Sequence, residues 1–237
     1  MSIKQTIARN TFYNGLGRVW EALAGLILVA YVVNRLGAEG YGLWSVVAAF
    51  TGYAALFDVG FGSGYAKYVA EYAAKDERGR ISDVVTSGLV FYLAFGVVFV
   101  AALWPMAGFF VDGLGRIFGD SEGVWSDESL REEIRFLVQW SLVLYAAGNC
   151  IAPFTAVQTG LQRMGVSNVI GVLTSIVKIV ATVFYLEGGF GVRGLLYAQA
   201  WVLGVFLVCS ITASFRLCPE LRIGPGHFSR EMLNRLF

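Results

Sequence analysis

Asn34-Arg35-Leu36-Gly37-Ala38-Glu39-Gly40-Tyr41-Gly42 is a short polar turn between two apolar runs, Val19 to Val33 before it and Leu43 to Phe57 after it. The runs belong to helices expected over about 11–36 and 41–74. Both exceed the roughly 20 residues that cross a bilayer. In lipid every backbone N–H and C=O needs an internal partner, so both arms must be helical, and the turn makes them a transmembrane hairpin. The second arm runs on through Asp58-Val59-Gly60-Phe61-Gly62-Ser63-Gly64 to Tyr65-Ala66-Lys67-Tyr68 and ends at Ala74. It is longer than a span needs, and it is expected either to project beyond the bilayer or to bend at its three alternate glycines.

The whole composition agrees with that opening. The chain is 57% apolar and only 15% charged, whereas a soluble domain carries about 25% charge. The formal net charge is +1, so no basic field points to nucleic acid and none is expected as a partner. Cys150, Cys209 and Cys218 are too few and too scattered for a disulfide framework or a metal site. No metal and no cofactor are expected. Met1 to Gly17 is polar and mildly basic, without the apolar core and small-residue site of a cleaved signal peptide, so the first helix is expected to be retained.

Four more helices are expected, over about 83–104, 130–162, 167–186 and 195–215. Ser82-Asp83 reads as the start of the first of these and Pro105 as its end, while Pro153 marks a kink in the second. The segment 119–133 is acidic, and the tail 216–237 is polar and broken at Pro219 and Pro225. The fold class is therefore an all-α polytopic membrane protein with six transmembrane helices. Six spans put both termini on one side. Twelve Lys and Arg lie on that side, against Arg35, Arg116, Arg131, Arg135 and Arg193 on the other. By the positive-inside rule both termini are expected in the cytoplasm and the acidic loop outside.

A few polar groups stand out inside the apolar helices. Lys178 lies near the middle of its helix, where an ammonium costs from about 2.5 kcal/mol upward unless it meets protein or water. Asn168, Gly171, Ser175, Lys178 and Thr182 recur at steps of three or four, a polar stripe suited to a cavity wall; a Lys ion-paired for packing is the alternative. Arg18 and Glu21 share a face of the first helix and can pair. Arg18 could equally snorkel to the interface, and Glu21 lies deeper. Asp58 could cap a restarted helix after the break or bind a coupling ion. Ser141, Tyr145 and Asn149 share a face, followed by Thr155, Thr159 and Gln162, and Gln199 lies in the last helix. These suit hydrogen bonds to sugar hydroxyls or between helices. His227, the sole histidine, sits in the tail and is given no role.

Arg35-Leu36-Gly37, Glu39-x-Tyr41-Gly42 and Asp58-x-Gly60 together resemble the polysaccharide biosynthesis (O-antigen, Wzx-type) flippases of the multidrug/oligosaccharidyl-lipid/polysaccharide exporter superfamily. The likeness is carried by residues 1–80. It implies a two-lobed, MATE-like transporter, of which residues 1–215 would be the N-terminal six-helix lobe. Residues 216–237 would be a cytoplasmic linker and the start of a missing C-terminal lobe. A faint internal match supports that division: Lys4-Gln5-Thr6-Ile7-Ala8-Arg9 and Arg230-Glu231-Met232-Leu233-Asn234-Arg235 share one pattern.

The implied function is flipping of a lipid-linked, undecaprenyl-pyrophosphate oligosaccharide across the inner (cytoplasmic) membrane by alternating access, for cell-surface polysaccharide synthesis. Arg18 and Lys178 would supply positive charge. Glu21, Tyr145, Asn149, Ser175 and Gln199 would line the cavity, and Asp58 or Glu21 would couple an ion. The runner-up is a cation-coupled multidrug antiporter, although unpaired cations make a poor host for organic cations. A membrane-embedded transferase or phosphatase would need clustered carboxylates, histidines or a metal, and the chain is expected not to be an enzyme. A non-transporting assembly subunit is a further reading.

Overall fold

The structure, a computed structural model, describes residues 3–54, 61–118 and 127–236. Its elements are all helical: α1 (Ile3–Ala54), α2 (Phe61–Ala74), α3 (Ile81–Phe118), α4 (Glu128–Asn149), α5 (Ala152–Gly160), α6 (Met164–Glu187), α7 (Gly191–Leu217) and α8 (Arg230–Leu236), with single 3-10 turns at Arg78–Arg80 and Pro225–His227. Five stretches among the described residues are long and apolar enough to cross a membrane: Val19–Gly52, Arg78–Arg116, Glu128–Gly160, Met164–Glu187 and Gly191–Leu217. Their outward side chains are those lipid requires; Leu26, Val97 and Phe109 are at least 70% exposed. The architecture is that of an all-α polytopic membrane protein.

α1 is two legs. At Gly37 the backbone leaves the helix, with φ 75° and ψ 175°, a conformation open to glycine and costly for a residue with a Cβ. Leu28, Tyr31 and Val32 before the break pack with Tyr41 and Trp44 after it, on Leu186 and Leu195. The legs therefore fold back on one another. Arg35 holds this bend: its guanidinium pairs with Glu187 at 2.5 Å, and the Tyr31 hydroxyl donates to the same carboxylate at 2.7 Å. The partners are about half exposed, so the pair fixes geometry more than it adds stability. The expected second arm, 41–74, is described in two pieces, 38–54 and α2.

α3 corrects the sequence reading. It does not stop at Pro105 but continues to Phe118. The extension buries Ala107 and Val111 against Ile134, Leu137 and Val138 of α4. Ending a helix inside the apolar layer would leave a full turn of backbone groups without partners, whereas one proline removes a single donor. The expected helix 130–162 is two helices instead of one kinked helix, with Pro153 in the first turn of α5, where its missing N–H costs nothing. At the start of α4, Asp127 accepts from the Ser129 hydroxyl at 2.8 Å and from its N–H at 2.9 Å. These two bonds, the hydroxyl's first, hold the Asp127 carboxyl below the usual carboxylate range.

α6 and α7 form an antiparallel pair whose turn uses positive φ at Gly189 and Gly191. The tail then folds back under α2 and α3. Cys218, Leu221 and Met232 are buried in a cluster with Tyr65, Tyr72, Ile81 and Val84. The tail is also pinned by polar contacts. Ser82 accepts from the Arg222 N–H at 2.9 Å, Ser87 accepts from the Ser229 N–H at 3.0 Å, and His227 Nδ1 lies 3.0 Å from Asp83 Oδ1. Ser82 and Asp83 thus anchor the tail, α3 already having begun at Ile81, and His227 has a partner and a structural job.

Candidate functional site

Between the two legs of α1 on one side and α4, α6 and α7 on the other lies a cavity of about 480 Å³. Its walls are mostly apolar, but its polar lining is specific: Ser45 and Thr51 from the second leg of α1, Ser141, Tyr145 and Asn149 from α4, Lys178 and Thr182 from α6, and Gln199 from α7. A second cavity of about 310 Å³ adjoins it, lined by Glu21, Gly171, Thr174, Ser175 and Lys178 among others. Leu28, Lys178 and Val202 belong to both walls. Lys178 therefore stands where the two spaces meet.

The local chemistry follows from how each group is already engaged. Thr51 donates to the Val47 carbonyl at 2.9 Å and Ser45 to the Tyr41 carbonyl at 2.8 Å. Each hydroxyl proton is thereby used on its own helix, leaving oxygen lone pairs toward the cavity. Ser175 donates to the Val172 carbonyl at 2.8 Å and accepts from the Trp20 indole N–H across the α1–α6 contact. The Asn149 amide nitrogen is buried and meets no hydrogen-bond partner among the described residues, a polar group left unpaired at the cavity wall. Tyr145 is set by its ring, 5.6 Å from that of Phe99. Lys178 is exposed to the cavity and makes no ion pair among the described residues. It lies fourteen residue steps along the helix from Met164, about 21 Å of rise in a helix of 24 residues. The charge therefore sits well inside the membrane-spanning segment, at a depth where it needs water or an anion.

Residues 7–233 match the polysaccharide biosynthesis protein family. The chain belongs to that family. A Shigella flexneri protein named "Putative O-antigen transporter" is 23% identical over 243 residues, which cover 98% of this chain and 52% of that protein. Two solved structures share the fold. One is a multidrug resistance MATE family transporter of the MOP superfamily in an outward-facing conformation, at 24% identity and TM-score 0.64. The other is a MOP superfamily transporter from Pyrococcus furiosus, at 24% identity and TM-score 0.67. Each superposes on 98% of this chain and 50% of its own. The chain thus spans about half the length of the relatives it matches, and it is a multi-pass membrane protein.

In this polysaccharide biosynthesis family member, most of the polar stripe residues singled out from sequence come together. Ser141, Tyr145, Asn149, Lys178, Thr182 and Gln199 line the larger cavity, and Gly171 and Ser175 line the smaller beside Lys178. Glu21 also reaches the smaller cavity, from the first leg of α1, without an ion pair to Lys178 among the described residues. The Arg18 side chain and Asp58 lie outside the described residues. Thr155 and Thr159 do not join the site; they donate to the Ala152 and Thr155 carbonyls, both at 3.0 Å. Gln162 takes a positive φ of 56° in the turn before α6. Sequence reasoning missed Ser45 and Thr51. The signal was present: Tyr41, Trp44, Ser45, Ala48 and Thr51 recur at helical spacing and all five line the cavity.

Proposed function

We propose that the full-length protein flips a lipid-linked oligosaccharide across the cytoplasmic membrane by alternating access, with this chain as its N-terminal lobe and residues 216–237 leading into a second lobe. The observation that carries the reading is Lys178, a cation with no carboxylate partner among the described residues. It sits at the junction of two cavities edged by hydroxyls and amides. An anionic diphosphate linkage needs a cation inside the membrane, and sugar hydroxyls need donors and acceptors of the kind that Asn149, Gln199, Ser45 and Tyr145 offer. Translocation of this kind needs no covalent step, so the reading is of a carrier and not an enzyme.

The test is a cell lacking its own oligosaccharide flippase, supplied with the full-length protein. Restored surface polysaccharide, with loss of the lipid-linked intermediate from the inner leaflet, is the expected result. Unchanged accumulation together with export of organic cations would move the assignment to the multidrug reading.

The orientation goes with the proposal. The basic residues near the 74–81 turn, the α5–α6 turn and the tail favour that end in the cytoplasm. Gly79 and Glu132 are exposed at opposite ends of the bundle. Gly79→Cys is expected to react with an impermeant maleimide only after the inner face is opened, and Glu132→Cys in intact spheroplasts. Reaction of both from one side would overturn the topology.

A further inference from the structure

α7 carries a second site further along the helix, toward its C-terminal end. Ala198, Gln199, Val202 and Phe206 of α7 look into the cavity, whereas Val208, Cys209, Thr212, Ala213 and Arg216 line a groove against the start of α6. That groove encloses about 890 Å³. Its walls are apolar: Val166, Val169 and Ile170 of α6 face Val208, Ala213 and Leu217 of α7. Val169 and Val208 are 68% and 62% exposed, so this wall is uncovered by the rest of the chain. Two arginines close one end, Arg163 in the turn before α6 and Arg216 in the last turn of α7. Neither makes an ion pair among the described residues, and no carboxylate lines the groove.

We propose that this groove binds an anionic bilayer phospholipid, its phosphate between Arg163 and Arg216 and one acyl chain lying along α7. Charge complementarity selects the headgroup. Two uncompensated guanidiniums at the end of an apolar trough attract a phosphate and gain nothing from a zwitterion's ammonium. Length selects the tail. From Arg216 to Val208 is eight residues, about 12 Å of helix, close to the roughly 15 Å of one leaflet's hydrocarbon. The Thr212 hydroxyl lies between the charged end and the apolar wall, at ester depth. The position also fits the supply of ligand, because Arg163 and Arg216 lie at the end assigned to the cytoplasm, where basic clusters between transmembrane helices meet anionic lipid. The inference concerns a site separate from the cavity and does not depend on the transported substrate.

The experiment uses the full-length protein purified in mild detergent, with lipid retention read by native mass spectrometry and thermal midpoint read in parallel. Phosphatidylglycerol is expected to be retained and to raise the midpoint, while phosphatidylcholine is not. Arg163→Ala combined with Arg216→Ala is expected to lower phosphatidylglycerol retention at least fivefold, and the double lysine variant to keep most of it. Ala213→Trp, which fills the groove and leaves both charges, is expected to lose the lipid as well. If the double alanine variant does not fold, the tryptophan variant and the choice between the two wild-type lipids decide the matter. Equal retention of both lipids, or retention unchanged in Ala213→Trp, would overturn the proposal. So would an equal thermal shift from inorganic phosphate alone, or displacement of phosphatidylglycerol by equimolar polyprenyl phosphate, which would make the occupant a free anion or a carrier lipid.

Discussion

Gly160→Ala is expected to lower the stability of the protein, although alanine favours a helix over glycine by about 1 kcal/mol. The reason is the contact between α5 and α2. A Cβ at Gly160 would lie 2.7 Å from Val69 Cβ and Cγ1 and 2.8 Å from the Ala66 carbonyl oxygen. Two of these atoms belong to a side chain that is fully buried, and the third is backbone, so nothing nearby can swing away. Forcing a methyl group into packed contact costs typically about 1–3 kcal/mol, which exceeds the gain in helix propensity and sets the sign. Gly160→Leu is expected to leave little folded protein. Gly204→Leu is the control, because nothing lies within 4 Å of a Cβ there. The readouts are folded yield after size exclusion and the thermal midpoint of the full-length protein in detergent. Val69→Ala should rescue Gly160→Ala only in part, since Val69 Cβ and the Ala66 carbonyl remain. Equal midpoints for the Gly160→Leu and Gly204→Leu variants would mean that α2 and α5 are not locked at this point.

The bundle was legible in the sequence because lipid leaves a chain few choices. Apolar runs of spanning length must be helical, and a turn such as Asn34 to Gly42 must reverse the chain. The same reasoning found the stripe through Lys178, since a charge at mid-depth forces its neighbours to be polar or small. It failed where a local rule met tertiary packing. Pro105 reads as a stop, yet Ala107 and Val111 bury against α4 and carry the helix past it. His227 looked idle because its partner, Asp83, lies 144 residues away. Ser45 and Thr51 went unnoticed because hydroxyls that donate to their own helix cost little in an apolar segment and so give no warning that they face a cavity. The groove on α7 was hidden for a simpler reason. Arg163 and Arg216 lie far apart in sequence, and only the α6–α7 pairing puts them at one end of the same trough.

Lys178→Ala is expected to cut translocation of lipid-linked oligosaccharide by at least tenfold in the full-length protein while leaving its thermal midpoint nearly unchanged. The two halves of that expectation come from the same geometry. Lys178 is exposed to both cavities and packs no core cluster, so its removal leaves no buried void and no orphaned carboxylate among the described residues. The lost attraction is large by comparison. Two unit charges 4 Å apart interact by about 4 kcal/mol at an effective dielectric of 20, and each 1.4 kcal/mol is worth about a factor of ten in binding. Part of that attraction is offset by desolvation of the anion, which is why the prediction stops at tenfold. Lys178→Arg should keep some transport, because the charge remains while the planar, longer head alters the fit beside Ser175 and Thr182. Glu21→Gln separates the remaining possibilities. If Lys178 acts on the substrate alone, that variant should leave the midpoint unchanged and should not restore transport to Lys178→Ala. If Glu21 is its working partner in another conformation, the two single variants should lower transport to the same extent and the double variant no further. Normal transport by Lys178→Ala would remove the cation from the mechanism and with it the main support for an anionic substrate.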